Sequence, residues 1–537
     1  MDADVVIVGA GIAGALVAAR LAEVGVKVII VEAGPRVERS TAVLQYYNAL
    51  IKVPECAYPN TDYAPHPRSD NLDDYYVQMG PQKFSSTYLR QVGGTTWHWL
   101  GTCLRLVPDD FRLATRFGRG VDWPIGYDAL ERWYGEAESE IGVSGDSRAD
   151  LGSPRSTPYP MPAIPMSVVD QHIANAFVGS PHEVCSTPQA RNAIVRDSRP
   201  PCCGNNSCIP ICPIQAKYDA TVHIARAEAA GARLLVQSVV DFLEVSTDRR
   251  ITAVRYRRPD GTTARITAHV FVLAAHAIEI PKLLLMSKND RTPNGVANSS
   301  DQVGRNLMDH PVQLSYALAR EPVWPYRGPL STSGVESPRA GDWRSERPAF
   351  RIEIGNDGWS WPTGAPTSDA RELAARGLRG VALQKALLDR TSRQIRFGSL
   401  TEQLPDPANR VVPDYDKRDK LGIPRPRISY RIDDYTKAGL AAARKIHEEA
   451  FVRIGATTIT HKPDEDFQGA GHVMGTARMG AEASSAVVNA ELRAFDHPNL
   501  FIEGSAVFPT GGAANPTLTI AALALRSVDA IRKTLRV

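Results

Sequence analysis

The chain has 537 residues, too many for one hydrophobic core, so two or more domains are expected. Its 62 basic and 59 acidic residues leave a formal charge of +3, which gives no reason to propose nucleic acid or an anionic membrane as partner. No stretch of about 18 uninterrupted apolar residues marks a transmembrane helix, and seven cysteines are too few for a disulfide scaffold of this size.

Residues 5–34, VVIVGAGIAGALVAARLAEVGVKVIIVEAG, read as a buried strand, a glycine turn, an amphipathic helix and a second strand ending in an acid. Gly9, Gly11 and Gly14 fit G-x-G-x-x-G at the strand–helix junction, where a dinucleotide fingerprint belongs. The first glycine permits the tight turn, the second admits a pyrophosphate to the backbone, and the third lets helix and strand pack closely. The helix aims its N-terminal N–H groups at the phosphates. Glu32, followed by Ala33, closes the second strand where a carboxylate can bind a ribose. Because the first strand begins at Val5, no signal peptide is expected; the protein should stay in the cytoplasm or cross a membrane folded, on a partner carrying the signal.

Residues 37–90 lack periodicity and read as an irregular excursion over the nucleotide domain. In residues 91–111, Gly93, Gly94 and Thr95 precede Trp97, His98 and Trp99, a close backbone approach beside a wall suited to a flat ring. A helical pattern covers 126–142, and 144–201 is proline-rich without strong periodicity. Next come Cys202, Cys203, Cys208 and Cys212 in CCGNNSCIPICP, a helix at 216–230 and a strand at 233–240 carrying Val240. Residues 251–256 and 264–273 alternate like antiparallel strands. The buried run 271–275, with Ala274, feeds a helix at 280–287, a second junction of dinucleotide type. Residues 318–395 carry the weakest signal, and 355–366 read as loop. A strand and long helix span 428–451, and 499–535 give a strand ending at Glu503 and Gly504, a glycine-rich turn and a closing helix near Thr517.

The returns to nucleotide-type chemistry near 93 and 504 imply an α/β fold (α+β overall) with a Rossmann-like domain assembled from 1–110, 215–312 and 465–537. Residues 111–214 and 313–464 are expected to form a substrate domain with an antiparallel sheet and helices, and 202–213 a metal loop. Cys208 and Cys212, with Pro213 after them, resemble the end of a ferredoxin-type run that holds iron and sulfide. Adjacent Cys202 and Cys203 speak against a disulfide, and zinc more often uses paired C-x2-C spacing; zinc or free thiols stay open as alternatives.

The glycine fingerprint with Glu32, GGTTWHW at 93–99, VGRNLMDHP at 303–311, HVMGTARMG at 472–480 and GGAANPTLT at 511–519 resemble, in order and over almost the full length, the glucose–methanol–choline (GMC) family of flavin oxidoreductases. The resemblance implies FAD, bound by Gly9, Gly11, Gly14, Glu32, Ala33, Gly93, Gly94, Thr95, His98, Trp99, Val240, Ala274, Glu503, Gly504, Asn515 and Thr517, and oxidation of an alcohol carbon by hydride transfer to flavin N5. His472 matches the family's base, as neutral imidazole titrates near working pH. Asn515 matches the second catalytic position, where an amide can orient the substrate oxygen; a helix cap before Pro516 is its alternative role. His98 falls where some members bond a histidine covalently to the flavin, against the plainer reading of a wall residue.

The cysteine loop narrows the resemblance to the iron–sulfur large subunits of FAD-dependent glucose, fructose and gluconate dehydrogenases. It implies a [3Fe–4S] cluster on Cys202, Cys208 and Cys212, with Cys203 the extra thiol and [4Fe–4S] open. It also implies a sugar, glycoside or polyol substrate, a cytochrome acceptor, and a small chaperone-like subunit. Location would then be periplasmic or membrane-associated through these partners, and cytoplasmic without them. Gly471 before His472 and Leu100–Gly101–Thr102 depart from the subfamily pattern, and GGAANPTLT resembles more distant members, so the particular sugar is not carried over; His276 after Ala275 replaces the small residue of the family's AAG junction. The rivals are a GMC-type oxidase reducing oxygen and a non-catalytic electron-transfer or assembly subunit; an NAD enzyme conflicts with the flavin-side motifs.

Overall fold

Consecutive apolar residues buried on both faces build parallel sheets, and Ala3–Val8 and Val28–Val31 are such strands. In the computed structural model, which describes residues 1–463 and 468–536, they pair in parallel with Val5 opposite Val28. The expected domain boundary at 464/465 lies outside the described residues. The parallel order runs Arg233–Leu235, Val28–Val31, Ala3–Val8, Thr263–Leu273, and Leu500–Ile502 adds to the other side of the last. The first half of Thr263–Leu273 instead continues an antiparallel meander with Ile251–Arg257 and Val239–Val245. Val8, Val31, Leu273 and Ile502 therefore end at one edge of the sheet, the edge at which open α/β sheets bind ligands.

Helix Ile12–Ala22 is buried on almost every side, against Thr221–Ala229 and Thr517–Leu535. Among the described residues no helix is long and apolar enough to cross a membrane.

A second, antiparallel sheet runs Thr457–His461, Pro311–Leu318, Gln394–Thr401, Phe350–Gly355, Ser333–Val335, Val184–Ser186, with Gln468–Gly469 also pairing to Pro311–Leu318. Its register divides the side chains by face. Ile352, Ile354, Ile395, Phe397 and Ala317 pack on Ala443, Ala450 and Phe451 of helix Asp434–Ile454. The alternate positions Arg351, Glu353, Arg396 and Leu400 face the other way, toward the parallel sheet's ligand edge. That long helix starts where Asp433 accepts from the Thr436 N–H and ends on Gly455 at φ 66. A small sheet of Arg410–Arg418, Pro424–Ser429 and Val77–Gln78 joins the two regions.

Several stretches differ from the sequence reading. Helices Arg39–Asn48, Val168–Phe177, Ser360–Thr363, Thr367–Ala375 and Gly380–Ser392 occupy segments read as irregular, proline-rich or loop. Arg39–Asn48 buries only Ala42 and Gly380–Ser392 only Ser392, so neither carries the apolar stripe that marks a helix. The strand expected at 233–240 splits in two, because Gln237 sits at φ 52 between Arg233–Leu235 and Val239–Val245. The helix expected from 216 begins at Thr221.

Candidate active site

The strand ends of the first sheet and the outer face of the second enclose a connected cavity of about 1130 Å³. Gly9, Gly11, Glu32, Ala33, Gly94, Thr95, His98, Trp99, Val240 and Ala274 all line it. His472, Gly504, Asn515 and Thr517 line it as well. Three expected residues stand one layer behind. A Cβ on Gly14 would overlap the Gly9 carbonyl, so this glycine seats the helix on the turn. Gly93, at φ 93, donates its N–H to Ala10 O at 2.9 Å. Glu503 is fully buried, and burial pushes its carboxyl up to about 8.

The cradle fits a dinucleotide. Gly9 sits at φ 106, and a Cβ there would meet the Ala274 carbonyl; one on Gly94 would lie 3.2 Å from Gly11 Cα. Three stretches of bare backbone thus converge, while a Cβ on Gly11 would meet nothing within 4 Å. That free space lies at the start of helix Ile12–Ala22, where no side chain caps the N–H groups and an anion is favoured. Glu32 accepts from the N–H groups of Ala10 and Gly34, both at 2.9 Å, which fixes the carboxylate at the cavity end. Further along, the His276 ring stacks on Tyr88 with centroids 4.0 Å apart, and Arg90, Glu279 and Lys282 line the same region. The sequence reading gives Tyr88, Arg90, Glu279 and Lys282 no role; burial of three charges in one place is a tertiary event without a local signature.

At the other end, the two motifs around His310 and His472 form one unit. Met308 and Met474 exchange backbone hydrogen bonds at 3.0 and 2.9 Å. The buried Asp309 carboxylate accepts from the N–H groups of His310 at 2.7 Å and His472 at 2.9 Å, and from the Ser86 hydroxyl. Burial pushes Asp309 up to about 6. Ser86 Oγ also accepts from the Gly471 N–H at 3.0 Å, so the loop carrying His472 is pinned from both sides.

The hydrogen bonds fix which nitrogen of His472 is basic. A backbone carbonyl can only accept, so His310 Nε2, 2.9 Å from Gly512 O, carries the proton. Burial lowers His310 to about 4, so the ring is neutral and its Nδ1 is an acceptor. His472 Nδ1, 2.8 Å away, must donate to it. His472 Nε2 is left as the acceptor, its lone pair taking a hydrogen bond from the Asn515 amide nitrogen at 3.3 Å. Burial first, then the neighbouring His310 ring and the Arg351 charge, holds His472 well below its ordinary value of 6.5. Asn515 does not cap the closing helix: no side chain caps Thr517–Leu535, and its Oδ1 is buried without a partner. Sequence inspection quoted the DHP motif but missed the supporting roles of Asp309 and His310.

His98 is buried with Nε2 enclosed and unpartnered, and burial, with the Lys217 charge, lowers it to about 3. The Lys217 ammonium, itself buried, donates to Trp97 O at 2.9 Å and Cys208 O at 2.8 Å, and also to Trp99 O. One cation therefore ties the chain on both sides of His98 to the cysteine loop, and Asn206, Ile209 and Pro210 of that loop reach the cavity wall. Cys208 is buried, Cys202 and Cys212 are half-buried, and Cys203 is exposed. Each of the first three sulfurs already faces an N–H: Arg191 Nη2 at 3.3 Å from Cys208, Gly204 N at 3.5 Å from Cys202, and Lys217 N at 3.5 Å from Cys212. Burial raises the Cys202 thiol, Arg191 opposes this, and charge on Cys208 and Cys212 adds to it, so the three sulfurs are electrostatic neighbours. Among the described residues no three His, Cys, Asp or Glu side chains converge as ligands of a single metal ion.

Comparison with known proteins agrees with this geometry. Residues 3–312 match the N-terminal profile of GMC oxidoreductases and residues 405–524 the C-terminal one. The chain is 38% identical to the fructose dehydrogenase large subunit of Gluconobacter japonicus, over 100% of this chain and 99% of that protein. It is 27% identical to 2-methyl-1,2-propanediol dehydrogenase of Mycolicibacterium austroafricanum, over 99% and 95%. Its fold matches the crystal structure of pyridoxine 4-oxidase from Mesorbium loti with a TM-score of 0.65 at 19% identity, over 99% of both chains. With both family profiles in register and a dinucleotide cradle beside a lone-pair imidazole, the chain belongs to the GMC oxidoreductase family.

Proposed function

We propose that the protein is an FAD-dependent dehydrogenase oxidising a hydroxyl group of a sugar, glycoside or polyol, with electrons leaving through an iron–sulfur cluster to an external acceptor such as a cytochrome. The observation that carries this reading is the unprotonated His472 Nε2, which accepts from the Asn515 amide in the same cavity as the dinucleotide cradle, so that both groups meet where a hydroxyl would bind. FAD, when bound, supplies the hydride acceptor. His472 Nε2 takes the hydroxyl proton, while its Nδ1–H stays donated to His310 and keeps the ring aligned. Asn515 holds the substrate oxygen in line with that lone pair, and the start of helix Thr517–Leu535 aims its positive end into the cavity. Cys202, Cys208 and Cys212 would hold the cluster, which supplies single-electron transfer outward.

In this reading 1–110, 215–312 and 465–537 bind FAD, 111–214 and 313–464 bind substrate, and 202–213 is the iron–sulfur loop. The relative from Gluconobacter japonicus is a large subunit, which supports a smaller partner here; a cytochrome acceptor, and a periplasmic or membrane-associated location through such partners, belong to the same proposal.

Anaerobic addition of sugars and polyols is expected to bleach the flavin absorbance; a panel that leaves the bands unchanged overturns the assignment. The enclosed, unpartnered His98 supports a covalent link to the flavin. Acid precipitation should then leave the yellow colour in the pellet, and release into the supernatant makes His98 a wall residue.

A further inference from the structure

The outer face of the second sheet carries more charge than proton transfer needs. Arg396 and Glu353 are 2% and 6% exposed, and both line the cavity shared with His472. Arg396 is held by Asp357, which accepts from Nε at 2.9 Å and Nη2 at 2.7 Å. Its Nη1 is buried with no partner, a donor without an acceptor. The Glu353 carboxylate has the reverse deficit. Its nearest cations, Arg351 and Arg396, stand at 3.6 and 3.7 Å, beyond hydrogen-bond length. An open acceptor thus lies beside an open donor.

A ring completes the surface. Trp361 is 36% exposed, lines the same cavity, and lies under the Arg396 guanidinium at 5.0 Å from its centroid. Gly398, opposite Glu353 in the register, keeps the space between these groups open. A Cβ there would lie 3.1 Å from Arg396 Nη1 and 3.3 Å from the Trp361 ring. A Cβ on Gly355 would strike the guanidinium itself. A flat apolar face bordered by an unsatisfied donor and acceptor matches a molecule with C–H groups on one face and hydroxyls round its edge.

We propose that Glu353, Arg396 and Trp361 are the specificity-determining wall of this site, binding hydroxyl groups away from the reacting carbon and selecting a neutral ring-form sugar over open-chain polyols and aldonates. The inference rests on the function proposed above and adds the residues that choose the substrate. Trp361 covers the ring face, which a flexible hexitol presents only after losing conformational freedom. Arg396 Nη1 donates to one ring hydroxyl, and Glu353 accepts from another. Glu353 also repels the carboxylate of an aldonate, a discrimination by unfavourable contact.

The test compares holoprotein and its Trp361→Ala, Trp361→Phe and Glu353→Gln variants on hexopyranoses, hexitols and hexonates, with flavin content as the check on folding. Trp361→Ala should raise KM for ring sugars about tenfold or more, with kcat and the hexitol KM moving less than about threefold, and Trp361→Phe should restore most of the loss. Glu353→Gln should raise the ring-sugar KM and narrow the preference over hexonates about tenfold. If wild type uses hexitols as well as ring sugars, or the variants leave ring-sugar KM unmoved, the wall has no such role. That failure is distinct from failure of the dehydrogenase reading, in which no hydroxyl compound of any class bleaches the wild-type flavin.

Discussion

Replacing His472 by alanine is expected to lower kcat by about 10²–10⁴-fold, the usual worth of a positioned general base, while the flavin absorbance per protein stays unchanged. Stopped-flow flavin reduction by a saturating alcohol substrate measures it. The size of the effect follows from geometry. Asp309 and Ser86 fix the backbone on both sides of the ring, and His310 fixes the tautomer, so no neighbouring group can take over the lone pair. The pH profile gives an independent check. A base acts when unprotonated, and burial, with the neighbouring His310 ring and the Arg351 charge, depresses His472 well below 6.5. The wild-type reduction rate should therefore stay level as pH falls through 6.5 and decline only in more acid solution. A rate that halves near 6.5 would show a solvated imidazole, and a variant retaining turnover within tenfold would place the base elsewhere.

The parts of this molecule that could be read in the sequence are those whose signal is local. The glycine turn at Gly9–Gly14 needs positive φ and bare backbone, which only glycine gives cheaply, and the flanking strands are continuous apolar runs. Helix Tyr127–Ile141 buries a regular stripe, including Tyr127, Leu130, Tyr134, Ala137 and Ile141, and was legible for that reason. Helix Val168–Phe177 was missed although Ser167 and Asp170 form a capping box, a signal present in the letters. The charged wall was not legible at all. Arg351 and Glu353 alternate with Ile352 and Ile354, a pattern normally read as a strand with one wet face. Here that polar face is turned inward, because the apolar side is taken by helix Asp434–Ile454; Glu353 meets a cavity and Arg351 is buried against Glu336. Periodicity reports that a strand has two faces, and only the tertiary fold decides which one meets the substrate. The role of His310 was hidden similarly: its motif marks a turn, but the bond to His472 spans 162 residues.

The second large effect is expected at Cys208. Cys208→Ser should lose most of its iron and sulfide, and turnover with ferricyanide or a cytochrome should fall by more than the 10–100-fold typical of losing an outer-shell partner. Anaerobic bleaching of the flavin by substrate should persist, because the proposed hydride removal uses His472 and Asn515 and none of the thiols. Cys208 is chosen because it is buried, its sulfur meets Arg191 Nη2 at 3.3 Å, and its carbonyl shares the Lys217 ammonium with Trp97 and Trp99. Arg191 and Lys217 are 1% and 2% exposed, and Arg191 has two further nitrogens without partners. Two buried cations beside three thiols are costly unless the sulfurs carry negative charge, as they do when they ligate iron. Burial lowers Lys217 to about 8 against the raising influence of Cys208 and Cys212, so loss of those negative sulfurs leaves the ammonium less supported. Exposed Cys203 is the internal control. If Cys203→Ser keeps its iron, three thiols carry the cluster. If it loses as much iron as Cys208→Ser, the cluster has four protein ligands. If the wild type binds zinc or no metal when matured with iron and sulfide, the buried cations need another partner and the electron route through this loop is wrong.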